Sequence, residues 1–218
     1  LGTPFALLAS GLNQFIVCQG FAADGMKSVV LGAVLNIVLD PVLIFGAGPM
    51  GTAVATYCKL EGAAYVAIVD NQLKRLENAK RIAKVDQTIN FDEQPVELAV
   101  GERRFDVAID AVGATAVIYQ ASALLKPYGV VGSMGVLKKN DLLINASRLK
   151  NNTSVHMLNF PFDEYGAAMD QNIDYIVSGK IDPADFYSHI VPIDEIHEAM
   201  ELVRTKKALK VILKIADQ

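Results

Sequence analysis

A glycine triplet and a carboxylate that follows it at a fixed distance are the residues of this sequence most able to do chemistry. The pattern G-x-G-x-x-G falls at Gly46, Gly48 and Gly51, directly after the apolar run from Val42 to Phe45. A second apolar run ends at Asp70, 19 residues after the third glycine. We interpret this order as strand, tight turn, helix and strand, a unit that holds a pyrophosphate on the helix N-terminus.

Each of these residues has a separate expected role. The first glycine permits the turn, the second lets the backbone approach phosphates, and the third lets the helix pack close to the strand. A carboxylate at the position of Asp70 accepts hydrogen bonds from the ribose hydroxyls of a bound dinucleotide. Its negative charge would repel a 2′-phosphate, so the sequence favours NAD over NADP as the cofactor.

The elements that must position these groups follow Asp70 as alternating helix and strand patterns. The predicted helices and strands are 72–83 (helix), 88–91 (strand), 105–112 (strand), 116–125 (helix), 129–135 (strand) and 154–159 (strand). Such alternation predicts an α/β fold, a doubly wound parallel sheet of the Rossmann type. Ligands bind at the carboxyl ends of such strands. We therefore expect one crevice bordered by residues 46–50, Asp70, 111–113 and 134–136.

Composition excludes several other classes of protein. The chain has 218 residues, a net charge of -4 and 52% hydrophobic residues, so it offers no basic face for nucleic acid. Its two cysteines, Cys18 and Cys58, are too few for a disulfide framework or a cysteine-rich zinc site. A reducing, cytoplasmic setting fits this cysteine usage.

The first 45 residues differ in character from the rest, since they hold only three charged residues, Asp24, Lys27 and Asp40. Two apolar stretches, at about 3–19 and 28–45, each approach the ~20 residues that a membrane span requires. We predict an apolar helical hairpin over 1–41 and a dinucleotide-binding domain over 42–218. The hairpin is either transmembrane-derived, with membrane contact by 1–45, or a pair of buried helices in a water-soluble domain.

The stretch GMKSVVLGAVLNIVLDPVLIFG, with its N-x-x-L-D-P pattern, resembles a transmembrane segment of the multidrug and toxin extrusion transporters. Two helices cannot by themselves surround a transport cavity. We hypothesise a join of two unrelated genes at the shared string VLIFG. The alternative function is therefore a fragment of a membrane drug or cation antiporter, fused to an incidental soluble domain.

Residues 42–215 resemble the C-terminal half of the medium-chain, zinc-type alcohol and polyol dehydrogenases. The stretches that carry the resemblance are VLIFGAGPMG, VDNQLKRLENAK, FDVAIDAVG and KPYGVVGSMGV. The resemblance implies roles along a bound dinucleotide: the amides of Pro49 and Met50 at the pyrophosphate, Asp70 and Arg75 at the adenosine ribose, Val112 and Gly113 at the adenine end, and Gly135 and Val136 at the nicotinamide. The resemblance also implies that Lys210 lies near the phosphates, although a solvated basic cluster with Lys206 and Lys207 is the ordinary explanation for such a lysine.

In the resembled family a separate N-terminal domain supplies the ligands of a catalytic zinc and a proton relay. No position of this sequence matches those ligands, although zinc is expected in the intact family. The resemblance implies NAD-dependent oxidation of an alcohol or polyol by the parent enzyme. We expect this chain to bind dinucleotide and to be inactive alone. The resemblance also implies a homodimer that forms through the nucleotide domain, in which the edge around residues 142–159 pairs with a second copy of the chain.

Several other residues of chemically reactive or apolar type are explained by the fold alone. The three histidines, His156, His189 and His197, lack metal-ligand spacing. We interpret Cys58 as a packed side chain, Asp106 and Asp110 as sheet-end residues, and Met157 and Met169 as core residues. The stripe formed by Ile193, Ile196, Met200 and Val203 is interpreted as a packing face.

Overall fold

The computed structural model describes residues 40–138, 140–141, 143–157, 165–205 and 207–215. Within these ranges, eight strands and six α-helices follow one another. In chain order they are β1 (Pro41–Phe45), α1 (Pro49–Leu60), β2 (Tyr65–Asp70), α2 (Leu73–Ala83), β3 (Gln87–Asn90), α3 (Val96–Val100), β4 (Phe105–Asp110), α4 (Thr115–Ala123), β5 (Leu125–Ser133), β6 (Ser154–Met157), α5 (Tyr165–Val177), β7 (His189–Pro192), α6 (Ile196–Arg204) and β8 (Val211–Lys214).

Six strands form one sheet in the order β3-β2-β1-β4-β5-β6, and every neighbouring pair is parallel. The order reverses direction between β1 and β4, which is the topological switch point of a doubly wound fold. The predicted Rossmann-type architecture is confirmed. The predicted strands and helices occur within a few residues of their expected bounds, except that β5 begins at Leu125 rather than at Gly129.

Two apolar clusters cover the two faces of this sheet. The first packs Ile44, Val66 and Ile68 of the strands against Ala55 of α1 and Leu76 of α2. The second lies on the opposite face and packs strand residues against helices α3 and α4. Strands buried on both faces read as continuous apolar runs, which explains why β1 and β2 were recognisable from sequence. Helix α1 therefore packs on one face of the sheet and helix α4 on the other, and the switch point lies between them.

The C-terminal part forms a second sheet of two parallel strands, β7 and β8, with α6 between them in sequence. These two strands were not predicted from the sequence. The stripe on α6 is not a packing face among the described residues, since Met200 is 64% exposed and Val203 54% exposed. The small side chain of Ala199 is the one that is buried on this helix. Met157 and Met169 are also more than half exposed, so their interpretation as core residues was wrong.

Of the string VLIFG, which was expected both at the end of a transmembrane helix and in a strand, residues 42–45 lie in β1. Strand β1 pairs with β2 on one side and with β4 on the other, so it is the centre of the sheet. Within the described ranges, no helix is long and apolar enough to cross a membrane. The predicted hairpin over 1–41 falls almost wholly outside the described residues.

Candidate functional site

The turn between β1 and α1 has the geometry that the glycine spacing predicted. Gly46 adopts φ +99°, a backbone conformation that other residues rarely adopt, and its N–H donates to the carbonyl of Val69 at 2.7 Å. A Cβ atom on Gly51 would lie 1.7 Å from the carbonyl oxygen of Gly46, so only glycine allows α1 to approach β1 this closely. A Cβ atom on Gly48, by contrast, would meet nothing within 4 Å, which leaves open space beside the backbone.

Helix α1 begins with Pro49 at its first position and Gly48 as its N-cap. Proline has no backbone N–H, so Pro49 cannot donate to a phosphate, and the expectation that its amide meets the pyrophosphate was wrong. Thr52 donates its N–H to the carbonyl of Gly48 at 2.9 Å. The N–H groups of Met50 and Gly51 precede that first helical hydrogen bond, and they are the first-turn donors available for an anion.

The carboxylate of Asp70 joins the end of β2 to the glycine turn. One oxygen accepts a hydrogen bond from the N–H of Ala47 at 2.8 Å, and the other accepts from the N–H of Gln72 at 2.9 Å. The Arg75 guanidinium lies 3.8 Å from the same carboxylate. Two carboxylate oxygens provide about four acceptor positions, so the two backbone hydrogen bonds leave capacity for ligand hydroxyls.

A cavity of about 620 Å³ opens beside this turn. Five of the predicted site residues line it: Gly46, Gly48, Asp70, Arg75 and Val112. Its remaining walls come from the ends of β3 and β4 and from the helices that follow them. The volume is within the ordinary range for a small-molecule or cofactor site, and its place at the switch point is where doubly wound folds bind ligands. The cavity is therefore the candidate site.

A buried carboxylate that the sequence analysis treated as a simple sheet-end residue proves to organise one wall. Asp110 is fully buried, and its carboxylate accepts hydrogen bonds from the N–H groups of Val112 and Gly113, both at 2.9 Å. The Ser133 hydroxyl donates to its second oxygen at 2.8 Å. The backbone carbonyl of Asp110 accepts hydrogen bonds from the N–H groups of Met134 and Gly135, at 2.9 and 3.1 Å. Asp110 thus holds together the loops that follow β4 and β5. An acid that ends a buried apolar strand directly before a loop was the available sequence signal.

The loops after β4 and β5 touch through their glycines. A Cβ atom on Gly113 would lie 2.4 Å from the carbonyl oxygen of Val136, and one on Gly135 would lie 2.0 Å from the nitrogen of Gly113. The side chain of Val136 is 90% exposed. Pro49, Met50, Gly51, Gly113, Gly135 and Val136 do not line the cavity itself. They border it along the same edge of the sheet.

Other candidates from the sequence lie elsewhere. Lys210 precedes β8 in the C-terminal unit and does not line the cavity. Asp106, at the opposite end of β4 from Asp110, forms an ion pair of 2.6 Å with Lys126. Cys58 is a free thiol on α1, and burial raises its pKa to about 11, which agrees with a packed side chain.

Among the described residues, no group of three or more His, Cys, Asp or Glu side chains could hold a metal ion. That part of the chain therefore does not fit a zinc site.

Comparison with known proteins places this geometry in a family. The sequence profile of the zinc-binding dehydrogenases matches residues 49–173, more than half of the chain. The chain belongs to the zinc-binding dehydrogenase family. It is 29% identical to an alcohol dehydrogenase from Cupriavidus necator over 93% of this chain and 56% of that protein. It is 30% identical to a probable D-xylulose reductase A from Aspergillus clavatus, over 80% of this chain and 50% of that one.

A solved structure agrees with these relatives. The alcohol dehydrogenase TADH from Thermus sp. ATN1 superposes with a TM-score of 0.69 and 25% identity, over 80% of this chain and 52% of that chain. The chain spans about half the length of the proteins it matches. The transporter resemblance of the first 45 residues gains no support from these comparisons. The alignment with the Cupriavidus enzyme covers more of the chain than 42–218 alone, so it extends into that segment.

Proposed function

We propose that residues 42–215 are the NAD-binding half of a zinc-type alcohol or polyol dehydrogenase. The observation that carries the proposal is the cavity at the switch point, which is lined by the glycine turn and by the Asp70 carboxylate hydrogen-bonded to that turn. The pyrophosphate would bind at the start of α1, where the N–H groups of Met50 and Gly51 point out of the helix. The open space at Gly48 is where it would approach the backbone.

The adenosine ribose would bind at Asp70, whose carboxylate is held in place by two backbone N–H groups. The preference for NAD over NADP rests on this carboxylate, because a 2′-phosphate beside it would meet a fixed negative charge. Arg75 opposes that charge from 3.8 Å and limits the repulsion. We therefore expect NAD to bind more tightly than NADP, with a difference in affinity that depends on Asp70 and is reduced by Arg75.

The nicotinamide would lie against the loops after β4 and β5, near Gly113, Gly135 and Val136. The support is topological: these loops end neighbouring parallel strands at the same sheet edge as the glycine turn. Hydride transfer between an alcohol and a nicotinamide also needs groups that hold the substrate against the ring. The described residues do not fit a zinc ion, and we expect little catalysis by these residues alone.

The test is a titration of the 218-residue chain with NADH and NADPH, followed by the fluorescence of the reduced nicotinamide. We expect NADH to bind more tightly than NADPH. Asp70→Asn should weaken NADH binding and narrow the difference between the two cofactors. Asp92→Asn is the matched control, since Asp92 is exposed and does not line the cavity. If neither cofactor binds the unaltered chain, the proposal is wrong.

We also propose a cellular location and an oligomeric state for the protein. A cytoplasmic location is proposed from the cysteine usage. A homodimer is proposed through the edge of the main sheet, where β6 is the terminal strand and Met157 is 52% exposed. Light scattering on the intact chain would measure its mass in solution, and a monomer at micromolar concentration would contradict the homodimer.

A further inference from the structure

A hydrogen bond crosses the cavity wall on the face of α3 and α4. The side-chain amide of Gln120 on α4 donates from Nε2 to the Glu97 carboxylate on α3 at 2.8 Å, and both residues line the cavity. These helices follow β3 and β4, which are separated in the sheet by β2 and β1. The pair therefore joins the two walls that flank the switch point on this face.

Glu97 fixes which way the Gln120 amide faces. An ionised carboxylate only accepts hydrogen bonds, so it must face the NH₂ group of Gln120 and not its carbonyl oxygen. One amide hydrogen is used in this contact. The second amide hydrogen and the side-chain carbonyl oxygen remain, and among the described residues the Gln120 side chain has no other hydrogen-bond partner. The cavity wall thus presents one donor and one acceptor side by side, in a fixed order.

Apolar side chains line the part of the cavity next to Glu97 and Gln120. Phe91 and Val96 line it from the β3 side, and Val112 and Val117 line it from the β4 side. If the phosphates lie at α1 and the ribose at Asp70, the base attached to that ribose must enter this region. Its faces would contact apolar side chains, and its polar edge would need a paired donor and acceptor.

We infer that Gln120 recognises the adenine base and that Glu97 is the residue that positions it. The inference rests on the proposed dinucleotide function. An amide side chain matches adenine through two hydrogen bonds: its oxygen accepts from the 6-amino group, and its N–H donates to N7. This pairing uses the donor and the acceptor that the contact with Glu97 leaves on Gln120.

Hypoxanthine is the discriminating base, since it carries an oxygen in place of the 6-amino group. The Gln120 carbonyl would then face another carbonyl oxygen, and one hydrogen bond would become a repulsion. Turning the amide over would place its oxygen against the Glu97 carboxylate, so the side chain cannot adapt without loss. A matched bidentate pair typically discriminates between bases by about tenfold or more.

The experiment compares NADH with reduced nicotinamide hypoxanthine dinucleotide, both titrated by nicotinamide fluorescence against the intact 218-residue chain. We expect NADH to bind about tenfold more tightly. Gln120→Leu should abolish the ratio, because NADH loses two hydrogen bonds whereas the hypoxanthine dinucleotide loses one hydrogen bond together with the repulsion. Glu97→Gln should reduce the ratio, because a neutral amide at 97 no longer dictates the orientation of Gln120. A role for Glu97 limited to stability would change the folded fraction and leave the ratio unaltered.

Gln94→Leu is the matched control, since Gln94 is exposed, precedes α3 and does not line the cavity. It should keep the full ratio. Equal binding of the two dinucleotides by the unaltered chain would overturn this inference while leaving the proposed function intact. Failure to bind either dinucleotide would overturn both. Circular dichroism of each variant shows whether it is folded, and the ratio measured on the unaltered chain decides the point even if Gln120→Leu does not fold.

Discussion

The Ser133 hydroxyl donates a hydrogen bond of 2.8 Å to the fully buried carboxylate of Asp110, and it thereby ties the end of β5 to the end of β4. The same carboxylate also receives two backbone N–H groups from the loop after β4. A buried carboxylate is tolerated when donors surround it, and removing its partners is costly. The wall of the cavity at the switch point therefore depends on a residue that need not touch the ligand.

We expect Asp110→Asn to lower the free energy of unfolding by about 2–3 kcal/mol, because an amide cannot accept all of these hydrogen bonds. NADH binding should weaken with it, since the loops after β4 and β5 lose their common anchor. Asp106→Asn is the control at the opposite end of β4, where the ion pair with Lys126 is partly exposed, and it should cost less than about 1 kcal/mol. Urea unfolding measures both, and equal losses would contradict the anchoring role.

Two alanine substitutions separate packing from phosphate binding in the glycine turn. Gly51→Ala brings a Cβ atom to 1.7 Å from the Gly46 carbonyl oxygen and should destabilise the fold by about 1–3 kcal/mol. Gly48→Ala meets no atom within 4 Å, so its stability should change by less than about 1 kcal/mol. It should nevertheless weaken NADH binding about tenfold or more, by occupying the space next to the phosphates.

The measurements are urea unfolding for stability and fluorescence titration for binding, made on the same protein samples. Gly51→Ala should lower the stability of the fold, whereas Gly48→Ala should weaken NADH binding with little change in stability. A Gly48→Ala variant that binds NADH normally would place the phosphates elsewhere, and a fully stable Gly51→Ala variant would contradict the close contact between α1 and β1.

Cys58 gives the fold a dependence on alkaline pH. Burial raises its pKa from the usual 9.0 to about 11, so between these values the unfolded chain has lost a proton that the folded chain retains. Stability is then fully present below pH 9 and falls as pH rises towards 11. In a Cys18→Ser background, Cys58→Ala should remove that part of the decline. Alkylation of the remaining thiol by iodoacetamide should be slow at pH 8 until the protein unfolds, and rapid reaction with the folded chain would argue against burial.

The exposed stripe on α6 is tested by a pair of neighbouring substitutions. Met200→Glu should change the free energy of unfolding by less than about 0.5 kcal/mol, because the side chain is 64% exposed. Ala199→Glu should cost on the order of 3 kcal/mol, since Ala199 is buried and a carboxylate there has no partner. Urea unfolding followed by circular dichroism distinguishes them. Strong destabilisation by Met200→Glu would show that this face is covered in solution.

The sequence predicted the main sheet well because its strands are buried on both faces. Strands β1 and β2 appear as unbroken apolar runs and β4 as an apolar run interrupted only by Asp106, and glycines or acids mark their ends. The glycine turn and Asp70 were predictable for the same reason, since their roles follow from backbone geometry. The position of Asp110 at a strand end was visible in the sequence, but its hydrogen-bonding role was not, because its partners lie in loops that come together only when β4 and β5 pair.

Other features were not visible in the sequence for physical reasons. The short helix α3 has five residues, too few to show a helical period, and so the wall that carries Glu97 was not predicted. On α6 the amphipathic pattern was real, but the pattern alone does not say whether the apolar side meets a partner. The error at Pro49 arose from carrying a backbone donor over from the family resemblance to a position where this sequence has proline, which has no backbone N–H.

Strands β7 and β8 pair only with each other among the described residues, and two strands give little cooperative protection on their own. Deuterium should therefore replace their amide hydrogens long before it reaches β1, which has a hydrogen-bonded neighbour on both sides. Isotope uptake would then divide the chain into a slowly exchanging centre and a C-terminal segment that opens independently of it.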